Sequence, residues 1–317
     1  MGRPLADALR SRPLLFEPVP PGARATPARV EAQFAATVAL LRSVGRVDAV
    51  NVPELVDENH DGRPYYRSGD VRAFARRVAE AAGCEPVVNK VVAHLPNADA
   101  MRTWAEETVS RGVRAVVLVG GSSRYIPYPG PPVFEANRLC RAPIEAAGGA
   151  VGNIAIPQRT GEAHRMLAKT RAGARFFTTQ IAFDPTTSSR LVREYDALCR
   201  QSGVAPATVL ISVAPLADEA DAEFVRWLGA DLPEATERVI LNGEDGGAAW
   251  RSVAGALTLW REVVRASHEA FVEVPLGVNV EQLSQRHLGS AAEMLRAFAA
   301  AIDGQAEPRL TAGDRAR

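Results

Sequence analysis

The feature that most constrains the fold of this chain is a repeated alternation between short apolar segments and segments with helical periodicity. In the segment 27–44, Val30, Phe34, Val38 and Leu41 recur every three or four residues, as on one face of a helix. Apolar, β-branched runs that alternate with such helices predict a parallel sheet covered by helices. Eight units of this kind are present, with strands predicted at 13–17, 47–52, 86–93, 113–119, 150–156, 175–181, 208–214 and 270–278.

The number of these units selects one architecture. Eight strand and helix pairs in about 300 residues fit a closed barrel better than an open sheet. The first strand is not followed by a GxGxxG motif, which argues against an open dinucleotide-binding sheet. We therefore predict an α/β protein that forms a single-domain (β/α)8 TIM-type barrel over residues 1–303, with a flexible C-terminal tail at 304–317. Two helices are expected between the seventh and eighth strands, and others at 27–44, 70–82, 98–111, 185–201 and 286–302.

Composition excludes several classes of function. Lys plus Arg and Asp plus Glu both number 37, so the chain lacks the basic excess with which proteins neutralise nucleic-acid phosphates. Its apolar stretches are shorter than the roughly 20 residues of a membrane span, and its N-terminus lacks a signal sequence. Cys84, Cys140 and Cys199 are widely spaced and form no CxxC pair. The sequence thus predicts a cytoplasmic protein with reduced core cysteines and no nucleic-acid or membrane partner.

An acid stands at the end of the first predicted strand. Glu17 follows the apolar residues Leu14, Leu15 and Phe16, and the prolines that begin at Pro18 end the strand. In α/β barrels the carboxyl ends of the strands carry the catalytic residues, so Glu17 is a catalytic candidate. A solvated loop glutamate is the simpler interpretation when this residue is considered alone, because acids are usually exposed.

Polar residues also stand at or near the ends of other predicted strands. A single polar residue in a strand is often a hydrogen-bonded core group, and this is the simpler interpretation of Asn89. A glycine turn such as that after the fourth strand lets a ligand approach the backbone, and its amides can cradle a phosphate, although tight turns also use glycine for conformation alone. No histidine pair has the spacing of metal ligands, so no metal site is predicted. The strand-end residues are Asn51, Asn89, Lys90, Gly120, Gly121, Ser122, Ser123 and Gln180.

Several segments together resemble the methylenetetrahydrofolate reductase family. The opening 16–21 is similar to the family's Phe-Glu-Phe-Phe-Pro-Pro, and 172–184 is close to its Ala-Gly-Ala-Asp-Phe-Ile-Ile-Thr-Gln-Phe-Phe-Phe-Asp stretch. These two segments are the specific part of the likeness. Weaker similarity covers 47–52, the unit 101–121 and the final strand 275–279, so that the resemblance spans about residues 13 to 300.

This resemblance implies a barrel that reduces 5,10-methylenetetrahydrofolate to 5-methyltetrahydrofolate. In that chemistry a carboxylic acid protonates N10 of the bridged folate and opens the ring to a 5-iminium cation, which accepts hydride. Glu17 matches the family's acid, and Gln180 matches its pterin-binding glutamine. Asn279 stands in the final strand, where the family usually has a histidine, and is assigned with Gln180 to binding of a small-molecule folate substrate.

The cofactor side of the resemblance is weaker. Where the family commonly has Leu-Arg-Gly-Asp after the fourth strand, this chain has Val119-Gly120-Gly121-Ser122, and Lys90 begins the segment that replaces a His-Leu-Thr motif. The connection 157–175 is also short. These departures weaken the case for FAD, and NADH or NADPH is the expected reductant, as in flavin-independent relatives. The residues assigned to cofactor binding are Asn51, Lys90, Gly120, Gly121 and Ser122.

Two other functions are compatible with the same residues. The barrel could take its electrons from another donor, such as a reduced flavin or a partner protein. It could also be a folate-binding accessory or sensor protein that kept the pterin pocket and lost reductase activity.

Overall fold

Eight parallel strands close into a barrel in the computed structural model, which describes residues 3–123, 125–244 and 246–304. Two further short strands, the third and fourth in chain order, pair as an antiparallel hairpin outside the barrel. In chain order the strands are β1 (Leu14–Glu17), β2 (Ala49–Val52), β3 (Val56–Glu58), β4 (Pro64–Tyr66), β5 (Glu85–Val91), β6 (Ala115–Val119), β7 (Ala150–Ala155), β8 (Phe176–Thr179), β9 (Thr208–Val213) and β10 (Leu276–Glu281).

Helices cover the outside of the barrel, and local sequence determines where several of them begin. At the start of α2, Thr26 accepts a hydrogen bond from the Arg29 N–H, and at the start of α7, Asp184 accepts from two backbone N–H groups. In both helices a proline occupies the first turn, where its missing N–H has no consequence. The helices are α1 (Leu5–Ala8), α2 (Pro27–Val44), α3 (Val71–Ala82), α4 (Ala98–Ser110), α5 (Val133–Ala146), α6 (Glu162–Arg171), α7 (Pro185–Gln201), α8 (Glu219–Trp227), α9 (Glu234–Asn242), α10 (Ala248–Glu269) and α11 (Leu288–Ile302).

The predicted (β/α)8 barrel is confirmed, and the errors are local. The predictions of helices 27–44 and 185–201 match α2 and α7. The prediction of the last strand at 270–278 is wrong, because α10 runs to Glu269 and its closing turn includes Phe271 at a φ of 51°. In the described part of the connection, three helices rather than two separate β9 from β10, and the sequence does not predict the β3–β4 hairpin. The predicted tail lies outside the described residues except for Gly304.

The inside of the barrel has an apolar lower part. Side chains alternate between the two faces of a strand, so every second residue of each barrel strand points into the lumen. Near the N-terminal ends of the strands these residues form one apolar cluster with Leu5, Ala8 and Leu9 of the α1 region. The Thr208 hydroxyl donates to the carbonyl oxygen of Leu9 at 2.8 Å and so fastens this segment to the barrel. The N-terminal end of the barrel is therefore plugged by apolar side chains.

Toward the C-terminal ends of the strands the lumen becomes polar. The strand registers pair Asn279 with Leu15, Glu281 with Glu17 and Asn51 with Val87, so these side chains share the inward face. Paired positions in a parallel sheet point to the same side. The polar residues that this alternation places in the upper lumen are Glu17, Asn51, Asn89, Thr178, Ser212, Asn279 and Glu281.

A second, larger apolar core fills the space between the strands and the helices. Phe16, Phe177 and Tyr195 are fully buried in it. Cys84, Cys140 and Cys199 belong to the same core and are free thiols, as expected, and burial raises the pKa of Cys84 and of Cys140 to about 12. No helix in the described ranges is both long enough and apolar enough to cross a membrane.

We predict that Gly152→Ala destabilises the barrel from inside. A Cβ at this lumen-facing position would lie 2.5 Å from ring atoms of the fully buried Phe176. Overpacking of this kind costs about 1–3 kcal/mol, which urea denaturation would measure as a lower free energy of unfolding. Gly255→Ala is the matched control. A Cβ there meets nothing within 4 Å on α10, so we expect about 0.5–1 kcal/mol of stabilisation. Equal effects of the two variants would contradict this account of the lumen.

Candidate functional site

Two asparagines hold the carboxylate of Glu17 at the mouth of the barrel. Asn51 Nδ2 of β2 donates to Glu17 Oε2 at 2.6 Å, and Asn279 Nδ2 of β10 donates to the same oxygen at 2.9 Å. Asn279 Nδ2 also lies 3.1 Å from Ser212 Oγ of β9. Both asparagines are fully buried, whereas Glu17 keeps partial exposure. Four adjoining strands thus bring one acid and three neutral polar groups together.

A second carboxyl group belongs to this cluster and was not identified from the sequence. Glu281 is the register partner of Glu17 on β10, and its Oε1 lies 3.3 Å from Asn279 Nδ2. A last strand that ends at 278, as predicted from the sequence, places Glu281 outside the sheet. A strand ending at Glu281 would have revealed it, because it stands two residues after Asn279 on the same inward face.

Burial changes the acidity of both carboxyl groups. It raises the pKa of Glu17 from 4.5 to about 7, against the opposing effect of the hydrogen bonds from Asn279 and Asn51. Burial also raises the pKa of Glu281 well above its ordinary value, and the neighbouring charge of Glu17 raises it further. Glu17 can therefore hold or release a proton near neutral pH, as a general acid must.

The same part of the lumen contains acceptor atoms without partners. Among the described residues, the buried side-chain oxygens Asn51 Oδ1, Asn279 Oδ1, Asn89 Oδ1 and Thr178 Oγ1 accept or donate no hydrogen bond. Buried polar atoms are nearly always paired in folded proteins, so several unpaired ones in a single lumen favour a ligand that supplies the missing partners. Asn89 is thus not the fully hydrogen-bonded core group that the simpler interpretation expects.

Gln180 lies directly after β8, above the inward-facing Thr178. Its Nε2 donates to the carbonyl oxygen of Leu228 at 2.8 Å, and its Oε1 accepts from the Ile181 N–H at 2.9 Å. These bonds fasten the segment after α8 to the mouth of the barrel. Its hydrogen bonds do not include Glu17.

Lys90 is placed away from the cluster around Glu17. It stands next to the inward-facing Asn89 on β5, so its side chain points to the opposite face of the sheet. There its Nζ lies 2.6 Å from Glu54 Oε1 and 5.8 Å from the centre of the Tyr66 ring. Glu54 Oε2 also accepts from the Val91 N–H at 3.0 Å, which completes a buried ion pair under the β3–β4 hairpin.

The residues predicted after the fourth strand line a separate cleft of about 780 Å³. Gly120, Gly121 and Ser122 form part of its wall, and the half-exposed Arg159 and Arg165 form another part. Beneath the two arginines, Glu162 is buried within 3.8 Å of Arg159, Arg165 and Lys169. One carboxylate facing three cations leaves this wall positively charged.

The glycine at 121 accommodates a side chain of the protein itself. A Cβ there would lie 2.2 Å from the ring of Tyr128, so the space that the glycine leaves is filled by that ring. Tyr128 in turn donates to Glu58 Oε2 at 2.6 Å, as Ser122 does, and His94 Nε2 lies 2.9 Å from Glu58 Oε1. Partial burial alone would raise the pKa of Glu58, but these hydrogen bonds and the charge of His94 lower it.

One cluster of described residues has potential metal ligands within 4.8 Å of one another, namely Asp218, Asp221 and His287. His287 Nδ1 already lies 2.8 Å from Asp221 Oδ2, and that oxygen accepts the N–H of Ala217 at 2.8 Å.

Comparison with known proteins establishes the fold. No protein-family model matches the chain, and no curated protein matches its sequence. A solved structure of an uncharacterized protein from Clostridium thermocellum, which binds two copies of 5-methyl-5,6,7,8-tetrahydrofolic acid, is similar to this chain with a TM-score of 0.73. The match covers 93% of this chain and 98% of that one, at 18% sequence identity. The two proteins therefore share the barrel fold.

We predict that the partly buried Glu17 makes the stability of the fold depend on pH. Below pH 4.5 Glu17 is protonated in both the folded and the unfolded chain, and its contribution to stability is fully present. As the pH rises to about 7 the unfolded chain releases this proton while the folded chain retains it, so up to about 3 kcal/mol is lost. Glu17→Gln should remove that loss, and urea denaturation between pH 4.5 and 8 would measure it.

The control for this experiment is Glu106→Gln, which changes an exposed carboxylate on α4. Its difference from the wild type should stay constant over the same pH range. A constant difference for Glu17→Gln as well would show that Glu17 titrates like a solvated acid.

Proposed function

We propose that this chain reduces 5,10-methylenetetrahydrofolate to 5-methyltetrahydrofolate, with Glu17 as the proton donor. The observation that carries the proposal is a carboxyl group with a pKa of about 7, held by two buried amides at the mouth of a barrel. The structural neighbour supports the choice of ligand, because 5-methyltetrahydrofolate is the product of this reaction.

Glu17 would act on the bridged folate before hydride transfer. Protonation of N10 breaks its bond to the bridging carbon and leaves a 5-iminium cation. The remaining Glu17 carboxylate would be stabilised at Oε2 by the N–H donors of Asn51 and Asn279. A pKa near the working pH is suited to this task, since the acid must both hold and release its proton.

The polar lumen offers partners for a pterin. A reduced pterin carries ring N–H and amino donors, and the unpaired oxygens of Asn51 and Asn279 are acceptors. Gln180 at the rim could exchange its bonds to Leu228 and Ile181 for bonds to the same heterocycle, as the family resemblance implies. The three amide side chains would then orient the folate with respect to Glu17.

The cleft beside the mouth fits the phosphates of a dinucleotide. Its arginines, Arg159 and Arg165, are half-exposed, and Ser122 and Gly120 also line it. A nicotinamide bound there would supply the hydride. The positive charge suits NADH, NADPH and FAD alike. We favour NAD(P)H because Gly120, Gly121 and Ser122 depart from the flavin-binding pattern of the family that the sequence resembles. The roles of Asn51 and Lys90 as cofactor ligands stay predictions. In this structure Asn51 contacts Glu17 and Lys90 contacts Glu54.

A folate-binding protein without reductase activity is the second candidate. The observation that favours it is the solved neighbour, for which binding of 5-methyltetrahydrofolate is what is known. For either function we propose a cytoplasmic location, where three free thiols stay reduced.

Purified protein should consume NADH or NADPH when 5,10-methylenetetrahydrofolate is added. The rate should fall as the pH rises above about 7, because Glu17 then loses the proton it must donate. Glu17→Gln should lower kcat by about 100-fold or more, since an amide cannot supply that proton, whereas Glu106→Gln should leave kcat unchanged. Binding of 5-methyltetrahydrofolate, measured by calorimetry, should survive in Glu17→Gln.

The outcomes separate the candidate functions. Folate affinity without turnover, with either nicotinamide and with or without FAD, would favour the binding protein. Turnover with a reduced flavin or an electron-carrier protein, but not with NAD(P)H, would identify another donor. A wild-type rate in Glu17→Gln would refute the role of the acid.

Replacement of the cleft arginines should weaken binding of the reductant and leave binding of the folate unchanged. We expect Arg159→Gln and Arg165→Gln each to raise KM for NAD(P)H about tenfold, because a hydrogen bond to a charged group contributes about 1.5–3 kcal/mol. Steady-state kinetics would measure this, with Arg10→Gln, an exposed arginine next to α1 at the other end of the barrel, as the control. A rise in KM for the folate alone would place the reductant elsewhere.

A further inference from the structure

The proposed reaction leaves one partly buried acid of the site unused. Glu281 faces Glu17 from the neighbouring strand, and strands that pair in this way lie about 4.8 Å apart. One nitrogen, Asn279 Nδ2, lies within hydrogen-bond distance of both carboxyl groups, at 2.9 Å from Glu17 and 3.3 Å from Glu281. The two acids therefore occupy one site and share one donor.

The surroundings of the pair contain few other charges. Ser212 of β9 donates to Glu281, and Asn51 of β2 donates to Glu17, but both groups are neutral. Lys90 and His287, on the adjoining segments, each lie against an acid. Lys90 lies 2.6 Å from Glu54, and His287 contacts Asp221 and Asp218 at 2.8 and 3.7 Å.

Two carboxyl groups on paired positions that share one donor cannot both ionise easily. Each has lost part of its hydration, and ionisation of the first opposes ionisation of the second. Groups coupled in this way lose their protons in two linked steps that belong to the pair. Over the pH range between those steps the pair carries one proton and one negative charge. The amide donors of Asn51 and Asn279 and the hydroxyl of Ser212 stabilise that charge.

We propose that Glu17 and Glu281 share one proton at neutral pH and that Glu281 returns to Glu17 the proton that the substrate takes. This inference rests on the proposed function, in which Glu17 is the acid. In the first transfer the O–H bond of Glu17 breaks and the N–H bond at N10 forms. Both acids are then ionised, and the partly exposed Glu281 takes up a proton from solvent water. In the second transfer this new O–H bond of Glu281 breaks and that of Glu17 forms again, so the pair regains its one proton and no step changes an oxidation state.

Glu281 thus acts through Glu17, as a positioning residue for the proton. Its contribution should be largest where Glu17 alone would be ionised. Glu281→Gln keeps the size of the side chain and removes its proton and charge. We expect the alkaline limb of the pH–rate profile to move toward acid by about one pH unit, which corresponds to an approximately tenfold lower rate at pH 8. At pH 6 the rate should stay within about twofold of the wild type, with KM for the folate unchanged.

A merely structural role would have a different signature. It would lower the rate by the same factor at every pH, and this result would overturn the proposal. Glu106→Gln again serves as the control for the loss of one carboxylate.

The sharing of a proton can be tested without activity. Unfolding free energies of the wild type, Glu17→Gln, Glu281→Gln and the double variant form a double-mutant cycle that can be measured at pH 5 and pH 8. We expect a larger coupling at pH 8, since each single variant removes the same repulsion. If the effects of the two substitutions on the unfolding free energy are additive at both pH values, the two acids do not share a proton, even if the protein catalyses the reaction. Coupling between the two acids without turnover would support the shared proton and refute the proposed reductase activity.

A measurement on the unaltered chain covers the case in which a variant does not fold. Carboxyl carbons of glutamate, labelled with ¹³C, report the protonation of each acid by NMR. Two resonances that both move in two linked steps would support the shared proton. Two independent single-step titrations would exclude it.

Discussion

The exclusion of water from the lower half of the barrel is the constraint on which the rest of the site depends. Leu15, Phe176 and Leu210 fill the lumen, and the α1 segment seals it from below. A carboxyl group placed directly above this apolar filling loses much of its hydration, and the pKa of Glu17 rises for that reason. If the lumen below were wet, the same acid with the same amide donors would be an ordinary ionised carboxylate.

Charge is divided between two compartments of the mouth. The lumen collects acids and neutral amides around Glu17, whereas the cleft beyond β6 collects cations around Glu162. Glu58 of β3 fastens the hairpin to the cleft, because its carboxylate lies against His94 after β5 and accepts from Ser122 and Tyr128 in the cleft wall. The β3–β4 hairpin that carries Glu58 therefore helps to hold the cleft in shape beside the acidic lumen.

The sequence was sufficient to predict the barrel, since eight apolar strands alternate with periodic helices, and to place Glu17 at a strand end. Asn51 and Asn279 were also identified, although their role as donors to Glu17 depends on strand register, which periodicity does not determine. Glu281 was missed because the apolar residues around Phe271 look like the start of a strand, although they follow the end of α10. The space at Gly121 was assigned to a ligand, since no local pattern shows that Tyr128 returns to fill it.

The pairing of β1 with β10 has a consequence for how the protein matures. These strands are the first and the last of the barrel in chain order, so Glu17 and Glu281 meet only through the contact that closes it. Contacts between such distant parts of a chain form late, because a large loss of chain entropy precedes them. A nascent chain that has not yet released β10 from the ribosome has its first acid in place without its counterpart. The pair of acids would thus be assembled only in the final step of folding, and its titration would report closure of the barrel.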